Sequence, residues 1–160
     1  MRSKLSLIEF RNQIKENTVI GNPKLKLISP FSLFRIFRDF SKPFYGNFDD
    51  STFRLTTNST VSPSFFIIKG NYKTVNRTLH INYNIEPTHK FQTIWLKYYP
   101  LVAFILFNSV FISQEEVPLQ VYVIFNLFVV LSILLTRWIP KRKRRNLEKK
   151  FTEIFEIIVQ

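Results

Sequence analysis

The stretch 132-SILLTRWIPKRKRRNLEKKF-151 passes from oil into a block of positive charge within a few residues. Two readings compete for that block: a grip on nucleic acid, or the boundary at which a membrane ends. The residues before it decide between them. Residues 117–139, VPLQVYVIFNLFVVLSILLTRWI, would make a helix of roughly 34 Å, and residues 96–112, LKYYPLVAFILFNSVFI, one of roughly 26 Å, against a hydrocarbon core of about 30 Å. Residues 98–139 hold only three formal charges, those of Glu115, Glu116 and Arg137. Trp95, Tyr98 and Tyr99 at one end and Trp138 on the other run stand where an aromatic belt sits, and Lys97 can snorkel to the same level. A buried hairpin in a soluble protein is the alternative. A chain of this length has too little material to cover two helices that are apolar all round.

The link between the runs is SQEE (113–116), short enough to force an antiparallel hairpin. Beyond the second run come Lys141, Arg142, Lys143, Arg144, Arg145, Lys149 and Lys150, whereas the link carries two glutamates. The positive-inside rule therefore places both termini in the cytoplasm and the link outside. Lys97, Arg137 and Lys141, Arg142, Lys143, Arg144 and Arg145 form a rim suited to topology and to anionic headgroups of the inner leaflet. The charge of +12 also raises nucleic acid as a partner, but no recognised binding motif accompanies it, and none is expected to bind.

Asn108 and Asn126 are the notable polar residues inside the runs, and each is expected to make a helix–helix contact. Asn108 with Tyr122 inside the hairpin is one arrangement. A homodimer or partner-helix contact through Asn126 is the other. With no acidic or histidine relay in either run, a proton-coupled transporter is not expected.

The rest of the chain reads as a small domain. SLIE (6–9) is a capping box that opens a helix over about residues 7–16. Phe31, Phe34, Phe37 and Phe40 recur three apart, an aromatic stripe for a domain core or a membrane interface. FYGNFDDSTFRLTT (44–57) reads as two strands about a turn at Asp49, Asp50 and Ser51, and residues 64–76 as a third with a candidate break at Gly70–Asn71. TLHINYNI (78–85) alternates cleanly, Leu79, Ile81, Tyr83 and Ile85 on one face, Thr78, His80, Asn82 and Asn84 on the other, and Glu86–Pro87 would end it. Leu147, Phe151, Ile154, Phe155 and Ile158 form a helical stripe that must bury itself, most simply on the sheet. The fold class expected is membrane α+β: an antiparallel β-meander packed with N- and C-terminal amphipathic helices, plus a two-helix transmembrane hairpin. It divides as 1–95, 96–139 and 140–160.

Chemistry is sparse. The absence of cysteine excludes disulfides and thiolate sites. His80 and His89 lie nine apart on different elements, which is not metal-ligand spacing, and no nucleophile, zinc or phosphate-loop motif occurs. No catalytic residue, metal or cofactor is expected. The basic start MRSKLSLIEF lacks an apolar core of signal-peptide length, so secretion is not expected.

FYGNF, FRLT, PSFFIIKGNY, TLHINYNI, FQTIWLKYY, the apolar hairpin and LEKKFTEIFE together resemble a set of uncharacterised small bacterial two-span membrane proteins. The likeness covers about residues 44–156, with Pro63 and Gly70 spaced more widely than in that set. It implies a shared layout and the bacterial cytoplasmic membrane, and it carries no activity. The function expected is that of a non-enzymatic interaction or accessory protein. Its cytoplasmic β module would bind a protein partner or the inner membrane surface. A lipid-modifying or transport subunit working through Asn108, Asn126 or the rim near Lys97 and Arg142 is the rival, and a nucleic-acid binder the third reading.

Overall fold

A computed structural model of the chain describes residues 1–23, 41–58, 65–114 and 118–158. The Phe31–Phe40 stripe, Pro63, Glu115, Glu116 and Val117 fall outside them. Two compact units result, residues 1–88 with 143–160, and residues 89–142.

The first unit holds a seven-stranded sheet built on an antiparallel meander of β3 (Phe44–Phe48), β4 (Thr52–Thr57), β5 (Phe66–Val75) and β6 (Thr78–Pro87). The turns are local chemistry. At β3–β4 the Asp49 carboxylate accepts from the backbone N–H of Ser51 at 2.8 Å and of Thr52 at 2.6 Å, and from the Thr52 hydroxyl at 2.6 Å. The Thr52 hydroxyl foremost, then the two N–H groups and the Ser51 hydroxyl at 3.3 Å, hold its pKa down at about 2. At β5–β6, Val75 pairs with Thr78 across Asn76 and Arg77, whose φ values of 50° and 61° give the doubly left-handed two-residue turn that matches strand twist. β5 passes through Gly70–Asn71 unbroken. A Cβ at Gly70 would lie 2.5 Å from both the Phe53 ring and the Asn82 carbonyl, so the glycine serves close packing and not a bend.

Each flank of the meander is extended. β2 (Thr18–Ile20) lies parallel to β3, while β1 (Arg2–Ser3) pairs with β6 and with β7 (Ile157–Ile158), giving the order β2-β3-β4-β5-β6-β1-β7. The sequence signals only the meander. Two- and three-residue strands are too short to show a period; β2 follows directly on the first helix, and β7 follows the long second apolar helix after two residues.

Helix α1 (Leu7–Asn17) opens with the full capping box: Ser6 Oγ accepts from Glu9 N–H, and Glu9 accepts from Ser6 N–H at 2.8 Å. It buries Phe10 and Ile14. The other helix over the sheet is the end of α3 (Leu119–Ile154), which continues through Pro140, losing one backbone bond there before a run of good helix formers resumes. Leu147, Phe151 and Phe155 enter the same core as Phe44, Phe53, Leu55, Ile68, Tyr72, Leu79, Ile81 and Ile85. Phe151 centres an aromatic cluster, with ring centroids 5.3 Å from Phe53, 5.1 Å from Tyr83 and 5.0 Å from Phe155. The expected stripe runs one turn past the real helix: Glu156, at φ 46°, reverses the chain, and Ile157–Ile158 pair with β1 as a strand.

The opposite face of the sheet is mixed. Its row Tyr45–Thr56–Ile67 is buried, but the next rows are polar: Asn47–Arg54–Lys69–Asn84, then Thr52–Asn71–Asn82, then Lys73–His80–Arg2. The alternation read over residues 78–85 holds, with Leu79, Ile81 and Ile85 buried in the core.

The second unit contains α2 (Lys90–Ser113) and the preceding part of α3. α2 begins six residues before the apolar run proper. Asn108 pairs with Asn126, and Phe111, three residues further along α2, packs on Tyr122, four residues back along α3: the two run antiparallel.

Candidate functional site

The two helices are long and apolar enough to cross a membrane, and only 11% and 6% of their most apolar windows are buried within the protein. Phe91, Leu106 and Ile112 on α2, and Ile124, Leu127, Phe128 and Leu134 on α3, all stand well exposed. Apolar exposure on every side of a helix is the property of a segment solvated by something other than water.

Polar groups within this unit are neutralised internally. Asn108 Nδ2 donates to Asn126 Oδ1 at 3.0 Å, and Asn126 Nδ2 donates to Asn108 Oδ1 at 3.1 Å. Ser109 and Thr136 donate back to carbonyls of their own helices. Tyr122 contributes its carbonyl to Asn126 and its ring to Phe111; the hydrogen-bond partner of Asn108 is Asn126.

Amphipathic side chains gather towards the helix ends. Phe91, Trp95 and Tyr99 stack in a ladder at i, i+4, with centroids 6.3 and 6.4 Å apart. The Lys97 ammonium lies 5.1 Å from the Tyr98 ring, and the Arg142 guanidinium 4.9 Å from that of Trp138. Arg137, Lys141, Arg142, Lys143, Arg144 and Arg145 are all exposed on α3. Five consecutive cations at about 100° per residue encircle the helix, making a collar and not a stripe. A groove-binding element needs its charges on one side, whereas a collar suits a planar, anionic surface that surrounds the helix.

Catalytic geometry is thin. His80 sits on β6, and His89 occupies the N-cap position of α2. No cluster of three or more His, Cys, Asp or Glu able to hold a metal occurs among the described residues. Tyr83, half-buried with its hydroxyl 3.4 Å from Glu148, has its pKa raised by burial and then by the Glu148 charge, which disfavours a phenolate role near neutrality. The chain matches no protein-family model, no curated protein and no solved structure, so no assignment passes to it from relatives.

The sequence reading passed over the polar face of the sheet. Arg2, Arg54 and Lys73 come together there only through register. Carrying the two-residue period of 78–85 back over 66–75 aligns Lys69, Asn71 and Lys73 on one side, and that was the available signal.

Proposed function

We propose that this chain is a two-span integral protein of a bacterial cytoplasmic membrane, and that its sheet unit is a cytoplasmic binding module without catalytic activity. The observation that carries the reading is the exposure of α2 and of the apolar part of α3 everywhere but along their shared seam. Burying a large apolar side chain is worth about 1.5–3 kcal/mol relative to leaving it in water. A bilayer removes that cost for every such residue at once. Mutual satisfaction of Asn108 and Asn126 supports the same environment, because an unpaired amide in hydrocarbon costs several kcal/mol, by rough transfer estimates. The collar from Lys141 to Arg145 supports the orientation through the positive-inside rule and supplies contacts for anionic headgroups.

Because the chain has no cysteine, single cysteines placed at Gln114 and, separately, at Asn146 report topology without background. A membrane-impermeant maleimide on intact cells should label position 114 alone. Labelling at 146 alone would invert the orientation. Labelling at neither, with full release of the protein by salt, would overturn the membrane reading.

A further inference from the structure

The sheet face turned away from the core holds cations that nothing described so far employs. Three strands, β1, β4 and β5, contribute Arg2, Arg54, Lys69 and Lys73, with His80 of β6 between Lys73 and Arg2. The only acid in these rows or the row beside them is Glu86, which is ion-paired to Lys69. Asp49 lies beyond the Asn47 end, its carboxylate already bound by four donors of its own turn. Arg2, Arg54 and Lys73 are exposed, and no ion pair is made by them among the described residues. Beside the Arg54 row lies a shallow concavity of about 370 Å³, lined by Thr52, Arg54, Lys69, Asn71, Asn82 and Asn84 with Phe53, Gly70 and Tyr83 between them along the strands.

We propose that this open face docks an extended acidic segment of a partner protein, with acidic residues four apart. The spacing follows from the strand. Lys69 and Lys73 are four residues apart on β5, roughly 13 Å, and an extended peptide laid along the strand repeats at the same rise. Arg54 lies in register opposite Lys69, whose charge is taken by Glu86, so one carboxylate meets Arg54 and the next, four residues on, meets Lys73, His80 and Arg2. Asn71, Asn82 and Thr52 fill the interval with both donors and acceptors, which a peptide backbone can match in both senses. Phosphate oxygens only accept, so a phosphate group by itself leaves the amide oxygens unmatched. The aromatic residues in the lining, Phe53 and Tyr83, pack their rings against Phe151 in the core, so none is offered for the base stacking that single-stranded nucleic acid uses alongside charge.

This assignment rests on the binding-module half of the function proposed above and is independent of the orientation in the membrane. The test uses the full chain purified in neutral detergent and a fluorescein-labelled peptide carrying Glu at every fourth position in a Ser/Thr background. Its all-Gln counterpart is the control. The acidic peptide should bind, and the double reversal R54E/K73E should weaken it roughly tenfold. The conservative R54K/K73R should keep binding, and so should K15E, which makes a single charge reversal on α1. Circular dichroism of R54E/K73E should match the parent. No binding, or equal binding by R54E/K73E, would overturn the proposal. Retention of phosphatidylglycerol through detergent washing, or of a labelled single-stranded oligonucleotide, that requires Arg54 and Lys73 while the peptide fails would reassign the face to phosphate. Cysteine labelling at 114 and 146 reads the membrane topology separately, so either claim can fail alone.

Discussion

Every amide hydrogen of Asn108 and Asn126 is committed within the helix pair. One hydrogen of each goes to the other residue, and the second returns to a carbonyl four residues back, Phe104 at 2.7 Å and Tyr122 at 2.9 Å. A third helix approaching Asn126 would find no amide hydrogen to accept. The pair therefore sets the register of these two helices against each other.

Replacing either residue alone should cost about 1 kcal/mol, because the survivor keeps an unmatched amide in an apolar setting. The double variant Asn108→Leu/Asn126→Leu should lose less than the two singles summed. Unfolding in detergent across the four-protein cycle measures the coupling, and additive losses would show that the two amides act independently.

Phe151 is fully buried and touches four aromatic rings, those of Phe44, Phe53, Tyr83 and Phe155. Phe151→Ala should cost about 3–5 kcal/mol by leaving a cavity at the centre of the core. Phe91, 75% exposed, should leave the stability of the sheet unit unchanged when made Ala. Denaturant unfolding followed by near-UV dichroism distinguishes the two.

Asp49 supplies the pH dependence. Its folded pKa of about 2 lies below the ordinary 3.8, so its contribution is present above the ordinary value and disappears as pH falls through the folded one. Stability should therefore decline between about pH 4 and pH 2, and Asp49→Asn should flatten that decline. A carboxyl titration of Asp49 by NMR with a midpoint near 4 would contradict the turn geometry. Glu9, held down by Ser6, adds in the same direction over the acid range.

Ser6→Ala should remove about 1 kcal/mol from α1 by leaving an N-terminal amide unpaired. Ser6→Asp should restore most of it, as the aspartate carboxylate still accepts from the first turn. Thermal unfolding of the three proteins gives the comparison.

What the sequence discloses and what it withholds follow from length. α1 is announced by its capping box, the β3–β4 turn by Asp49, and β6 by eight residues of alternation, each a local signal complete within one element. β1, β2 and β7 are too short to carry a period, and their pairing is decided by edges that exist only once the meander has formed. The same limit applies to function. The apolar runs and the basic collar are contiguous in sequence and can be read directly. Arg2, Arg54 and Lys73 become neighbours by register alone, and Asn108 reaches Asn126 only when two helices lie side by side.

The position of β1 has a consequence for how the protein is made. It pairs on one side with β6 and on the other with β7, and both long apolar helices lie between β6 and β7 in the chain. During synthesis the growing chain can assemble the meander early, yet β1 waits for its second neighbour, and the core waits for Phe151 and Phe155, until both helices have left the ribosome. A ribosome stalled between the two helices would leave an unfinished sheet with an apolar face uncovered, a ready substrate for quality-control proteolysis. Completion of the sheet thus reports that the helix pair has been produced in full.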